Sequence, residues 1–155
     1  MLIRPARNND VDEIIEMGSR MHKDSNYAFL PYDHEKVRHL ACYMINDPNT
    51  QCALVAEERG LLIGMFAGYI TDYYFCNSTI ASDMILYVEP KYRGSSAAMR
   101  LIRTFRDWAI QKGVSEICLG TSTGVSPERT GNFYQKLGFV FVGGIYKWRT
   151  GTNAQ

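Results

Sequence analysis

Apolar positions recur along this chain with two different periods, and the switches between them divide it into elements. Leu2 to Pro5 is a short extended segment. Val11, Ile14, Ile15, Gly18 and Met21 then fall on one helical face, with Asn9 or Asp10 placed to cap it. A loop holding Asn26, Tyr27, Pro31 and Tyr32 leads to a second helix from Asp33 toward Asn46, which Asp47-Pro48-Asn49 ends. Strand-like runs follow over Gln51 to Glu58 and Leu61 to Thr71, joined as a hairpin by Glu58-Arg59-Gly60. A further run, Ser82 to Val88, stops at Glu89-Pro90, because proline has no N–H to give to a ladder.

After Pro90 the period lengthens. Ala98, Leu101, Ile102, Phe105, Trp108 and Ala109 form one apolar stripe, and Lys112-Gly113 closes that helix. Glu116 to Leu119 reads as a short buried strand, and Pro127 to Leu137 as a last helix with Gly138 as its cap. Phe139 to Val142 and Ile145 to Trp148 read as closing strands around Gly143-Gly144. Strands alternate with helices after an antiparallel front half. The expected class is α/β (α+β), a mixed sheet covered by helices. One domain is expected over residues 1–150, followed by a C-terminal tail over 151–155.

Composition narrows the function classes. A formal net charge of +1 offers no field of one sign for nucleic acid or an anionic membrane. The longest apolar run, Leu61 to Ile70, is about half the length that spans a bilayer. Cys42, Cys52, Cys76 and Cys118 form no C-x-x-C pair, and the three histidines His22, His34 and His39 have no metal-site spacing, so no metal is expected. Cys52 and Cys118 lie in apolar runs and read as buried thiols. No signal-peptide pattern opens the chain, and a reducing cytoplasm is the expected compartment.

The chemistry concentrates between Val88 and Ala98. This segment joins a strand to a long helix, whose first N–H groups lack partners and carry the positive end of the helix dipole. Such an end can hold a pyrophosphate. Arg93 adds a planar cation, and Gly94, Ser95, Ser96, Ala97 and Ala98 are small enough for close approach. The plainer alternative is a strand–turn–helix corner with Ser96 as its cap.

Arg93-Gly94-Ser95-Ser96-Ala97-Ala98 resembles the acetyl-coenzyme A loop of the GCN5-related N-acetyltransferase (GNAT) superfamily, Arg/Gln-x-x-Gly-x-Gly/Ala, with Ser96 standing where the middle glycine belongs. Asn132-Phe133-Tyr134-Gln135-Lys136-Leu137-Gly138-Phe139 is similar to the family's second signature. Ile3-Arg4-Pro5-Ala6, Leu86-Tyr87-Val88-Glu89-Pro90 and Ile117-Cys118-Leu119 resemble its first, fourth and fifth strands. Two motifs in the right order are more specific than either alone.

The resemblance implies a mostly antiparallel sheet with about four helices on its two faces and with strands 4 and 5 splayed. It implies an acyltransferase moving an acetyl group from acetyl-coenzyme A to a primary amine, by direct attack within a ternary complex. Main-chain groups of Leu86, Tyr87 and Val88 would bond the pantetheine arm, and a backbone N–H near Leu86 or Tyr87 would polarise the thioester. Amides from Arg93 to Ala98 would hold the pyrophosphate. Tyr134 would protonate the leaving thiolate, and Asp83 is the first candidate for the base, ahead of Asp72 and Glu89. The acceptor is a small-molecule or peptide amine. Tyr27, Phe29, Tyr32, Tyr73, Tyr74 and Phe75 are expected near its cleft, where they would suit a cation, or else under loops or in a homodimer contact. His22 or His34 is a further candidate for the cleft. A non-catalytic acetyl-coenzyme A sensor is the main alternative. A nucleotide-binding module lacks its phosphate motifs here.

Overall fold

The structure, a computed structural model, describes residues 1–150. The tail expected over 151–155 lies outside the described residues. One sheet runs β1 (Leu2–Pro5), β2 (Gln51–Glu58), β3 (Leu61–Asp72), β4 (Thr79–Val88) and β5 (Glu116–Cys118) in that spatial order. All neighbours are antiparallel except β4 and β5. The hairpin between β2 and β3 turns on Arg59 and Gly60, both at positive φ, which matches the twist of the flanking strands.

Helices α1 (Val11–Asp24) and α2 (His34–Asn46) lie on one face, where Met17 packs with Met65 and Tyr87. Helices α3 (Ala97–Gln111) and α4 (Pro127–Lys136) lie on the other. There Leu101, Ile102, Phe105, Ala109 and Tyr134 meet Leu54, Ile63, Phe66, Ala81 and Val88. The expected mixed, helix-covered sheet is therefore what forms. Among the described residues, no helix is long and apolar enough to cross a membrane.

Asp33 caps α2 by accepting from the Lys36 N–H at 3.0 Å. Asp10 opens α1 differently. Its carboxylate accepts from Arg7 N–H and takes both Arg4 Nη atoms, at 2.7 and 2.9 Å, while Arg4 Nε reaches Glu57. The Arg4 guanidinium holds the Asp10 carboxyl below the usual carboxylate range.

Phe105 sits so close to β3 that a Cβ on Gly68 would stand 2.6 Å from its ring and 2.9 Å from the Ser82 carbonyl oxygen. Gly68→Ala is expected to destabilise the fold by roughly 1–3 kcal/mol, the cost of overpacking a filled core. A urea midpoint equal to the parent's would contradict that packing.

Three expectations fail here. Residues 139–150 form no ladder, although Phe139 to Val142 and Ile145 to Trp148 were the expected closing strands. Alternation favours a strand only where one face is buried, and here Val140, Val142, Ile145, Tyr146 and Trp148 are all exposed. Cys118 is exposed rather than buried, because it ends the short edge strand β5; Cys52, deep in β2, is buried as expected. The third strand after the hairpin begins at Thr79, earlier than Ser82, since Ile80 and Ala81 continue its pairing with β3.

Candidate active site

β4 leaves the sheet through a single 3-10 turn at Pro90–Tyr92. Arg93 is extended, and Gly94 takes φ 90°, a left-handed conformation that reverses the chain toward α3. The Arg93 and Ser95 amides donate to the Pro90 and Tyr92 carbonyls, both at 3.2 Å. Ser95 Oγ accepts from the Ala97 N–H at 3.3 Å, so Ser95 supplies the cap that the plainer alternative gave to Ser96. Within the described residues the amides of Gly94, Ser96 and Ala98 find no protein acceptor. Ala97 itself is fully buried and anchors the helix start in the core.

The sheet opens beside this loop. β5 pairs with β4 only from Ile80 to Ser82. β4 then bulges, with Met84 unmatched between Asp83, opposite Gly68, and Ile85, opposite Ala67. Past that point β4 continues to Val88 with β3 on one edge and no strand on the other. The Glu89 N–H points to β3, donating to Ile63, so the alternate groups of Leu86 and Val88 face the open edge. The Val88 carbonyl there accepts from Arg93 Nε at 3.1 Å. Tyr87 turns its main chain to β3, and its hydroxyl donates to Glu89 at 3.2 Å.

A cavity of about 440 Å³ fills this fork. Leu86, Tyr87, Val88, Arg93, Gly94, Ser95 and Ala98 line it, together with Asp83 and Tyr134; Ser96 and Ala97 do not. Gly120, just beyond β5, joins the two ionisable groups. Its N–H donates to Asp83 Oδ1 at 2.8 Å, and its carbonyl accepts from the Tyr134 hydroxyl at 3.4 Å. Burial pushes the Asp83 carboxyl up to about 6, against the opposing bond from Gly120. Burial, with Asp83 nearby, also pushes the Tyr134 phenol above its ordinary value. At neutral pH Asp83 is therefore mostly ionised while Tyr134 keeps its proton.

The other base candidates are placed elsewhere. Glu89 is held by Arg20 at 2.7 Å and by Tyr87, and Asp72 is exposed at the far end of β3. The aromatic residues expected around the acceptor do not gather in one wall. Tyr32 donates to the Ile15 carbonyl between His22 and His34, so those two histidines pack on its ring outside the cavity. Tyr73 donates to Glu116 at the opposite end of β4 and carries Phe75 and Tyr74 with it. Tyr27 and Phe29 lie nearer the cavity, on the loop after α1.

Sequence reasoning missed Gly120, Ser122 and Arg129 in the cavity wall. Arg129 had a signal, since a cation in a helix's first turn opposes the dipole there. Gly120 had none, because its role depends on where β5 stops pairing.

A family model described as "Acetyltransferase (GNAT) domain" matches residues 49–141. The chain belongs to the GNAT acetyltransferase family. Solved structures share its fold over nearly their whole length. The ribosomal-protein-alanine N-acetyltransferase of Brucella melitensis biovar Abortus 2308 is 19% identical, with 96% of this chain and 99% of that one covered and a TM-score of 0.70. The aminoglycoside antibiotic 6'-N-acetyltransferase AAC(6')-IG of Acinetobacter haemolyticus is 19% identical, covering 99% and 100%, at 0.74. AAC(6')-Iy, solved with the bisubstrate analog CoA-S-monomethyl-acetylneamine, is 17% identical, covering 97% of each, at 0.77. At these identities the likeness establishes the fold. No curated protein matches the sequence significantly.

Proposed function

We propose that this protein is an acetyl-coenzyme A-dependent N-acetyltransferase acting on a primary amine by direct attack within a ternary complex. The observation that carries the reading is Gly120, whose two main-chain groups hold a carboxyl with a pKa of about 6 and a protonated phenol at the mouth of an open strand edge. One group suits removal of a proton from an amine, the other delivery of one to a leaving thiolate.

The residues present fit coenzyme A. Gly94 and Ala98, whose amides are unpartnered, line the space beside α3 with two arginines, Arg93 and Arg129, which suits a diphosphate. The open edge at Leu86 and Val88 offers strand-like hydrogen bonds to an amide-bearing arm. When bound, acetyl-coenzyme A supplies an activated acyl group. The chain orients it along β4, excludes water with Leu86, Val88 and Phe133, and holds Asp83 and Tyr134 beside the fork.

Arg93→Ala removes the cation that the Val88 carbonyl fixes over the loop. Acetyl-coenzyme A affinity is expected to fall roughly tenfold or more, with smaller change in turnover at saturation. Equal affinity by titration would contradict the assignment. The reading as a whole is tested by thiol release from acetyl-coenzyme A across polyamines, aminoglycosides, amino acids and peptide N-termini. Release with at least one amine is expected. Tight binding with no release on any acceptor would make the protein a sensor.

A further inference from the structure

Beyond Phe139, the chain's last described stretch is attached by charge rather than by apolar packing. Lys147 and Arg149 stand two residues apart and face Tyr27 and Phe29, also two apart. Lys147 Nζ lies 4.2 Å from the Tyr27 ring centroid, and the Arg149 guanidinium lies 4.3 Å from that of Phe29. Lys147 Nζ donates to the Tyr27 hydroxyl at 2.7 Å and to the Ser122 carbonyl at 3.1 Å. Arg149 Nη2 donates to the Asn26 carbonyl at 3.2 Å. The apolar residues between contribute little, since Val142, Tyr146 and Trp148 are 92%, 100% and 89% exposed.

This contact sits on the rim of the cavity. Ser122 is part of the cavity wall, and the Asn26 N–H donates to the Thr123 carbonyl at 2.8 Å, tying the Tyr27 loop to that wall. The Tyr27 hydroxyl and the Ser122 carbonyl oxygen converge on one ammonium there. Lys147 Nζ is a primary amine of the same chemical kind that the reaction consumes. The nearby ammonium also draws the Tyr27 hydroxyl below its ordinary pKa.

We propose that Tyr27, Phe29 and the Ser122 carbonyl form a cation subsite of the acceptor cleft, which Lys147 and Arg149 occupy at rest and which a small polyamine takes by displacing them. The inference rests on the N-acetyltransferase reading and narrows its acceptor class. Two cations, Lys147 and Arg149, occupy the subsite together, so it suits an acceptor that carries more than one ammonium. An acceptor with a second ammonium would gain this site, and a simple monoamine would not. Displacement exchanges one cation for another on the same groups. The free site then binds more tightly than the site held by Lys147, as for any competing state.

The test is calorimetric titration of the full chain with spermidine and with n-butylamine. Lys147→Gln is expected to bind spermidine about fivefold more tightly than the parent and n-butylamine within about twofold. Lys147→Arg, which keeps the competitor, should behave like the parent. Adding Tyr27→Ala to Lys147→Gln should abolish the gain. Undetectable or unchanged spermidine binding in Lys147→Gln, or a gain that survives Tyr27→Ala, overturns the proposal. Acetyl-coenzyme A titration of the same samples separates the two readings. Normal acetyl-coenzyme A binding with no spermidine response sinks the subsite alone, whereas loss of acetyl-coenzyme A binding in the parent sinks the enzyme reading.

Discussion

Asp83→Asn is expected to lower kcat/KM with an amine acceptor by about a hundredfold at neutral pH, the lower end of what a placed general base contributes. The substitution preserves size and can still accept from the Gly120 N–H, so the fork should keep its shape. It removes a carboxylate whose burial raises its pKa to about 6. Below that value the parent's Asp83 is protonated and cannot take a proton. The parent's kcat/KM profile should therefore break near pH 6, rising more steeply below it, and the break should vanish in Asp83→Asn. Stability gives an independent sign. A carboxyl with a raised folded-state pKa binds more protons folded than unfolded between its ordinary value and about 6, so its contribution to stability falls as pH rises through that window. The difference in stability between Asp83→Asn and the parent should grow over the same interval. A pH-independent difference, together with an unchanged kcat/KM profile, would remove Asp83 from this role.

Tyr134→Phe is expected to lower turnover at least tenfold while acetyl-coenzyme A affinity stays within about twofold. The ring is kept, so packing against Phe133, Phe139 and the α3-side core should survive. The lost hydroxyl makes only a long bond of 3.4 Å to Gly120, so its removal should cost little stability. Burial pushes the phenol's pKa upward, so it stays protonated at neutral pH, and the parent should show no alkaline loss from this group below the ordinary tyrosine value near 10. Parent-like turnover in Tyr134→Phe would assign Tyr134 to packing alone.

Much of the fold was legible because its signals are local. The α3 stripe, the Arg59-Gly60 hairpin and the halt at Pro90 each rest on residues close in sequence, and each forms as read. The strand-to-helix corner after Val88 was legible for the same reason, although Ser95 rather than Ser96 caps the helix. What failed depends on distant partners. Phe139 to Trp148 alternates like a strand, but no face is buried to fix it. Cys118 reads as core until β5 is seen to be an edge. The aromatic cluster read as one cleft wall is divided, because Tyr32 turns under α1 and Tyr73 to Glu116. The fork itself had no local signature. It arises where β5 stops at Cys118 and β4 bulges at Met84, and only then does Gly120 meet both Asp83 and Tyr134.

In the proposed function, unpartnered amides at the start of α3, with Arg93, grip a diphosphate and so lay a thioester along the open edge of β4. Titrating the natively folded chain with acetyl-coenzyme A and with S-acetylpantetheine, which lacks the diphosphate, tests this most directly. Saturable one-to-one binding of acetyl-coenzyme A is expected, with affinity lower by roughly a hundredfold for the truncated thioester. No heat with acetyl-coenzyme A, or equal affinity for both, would contradict it.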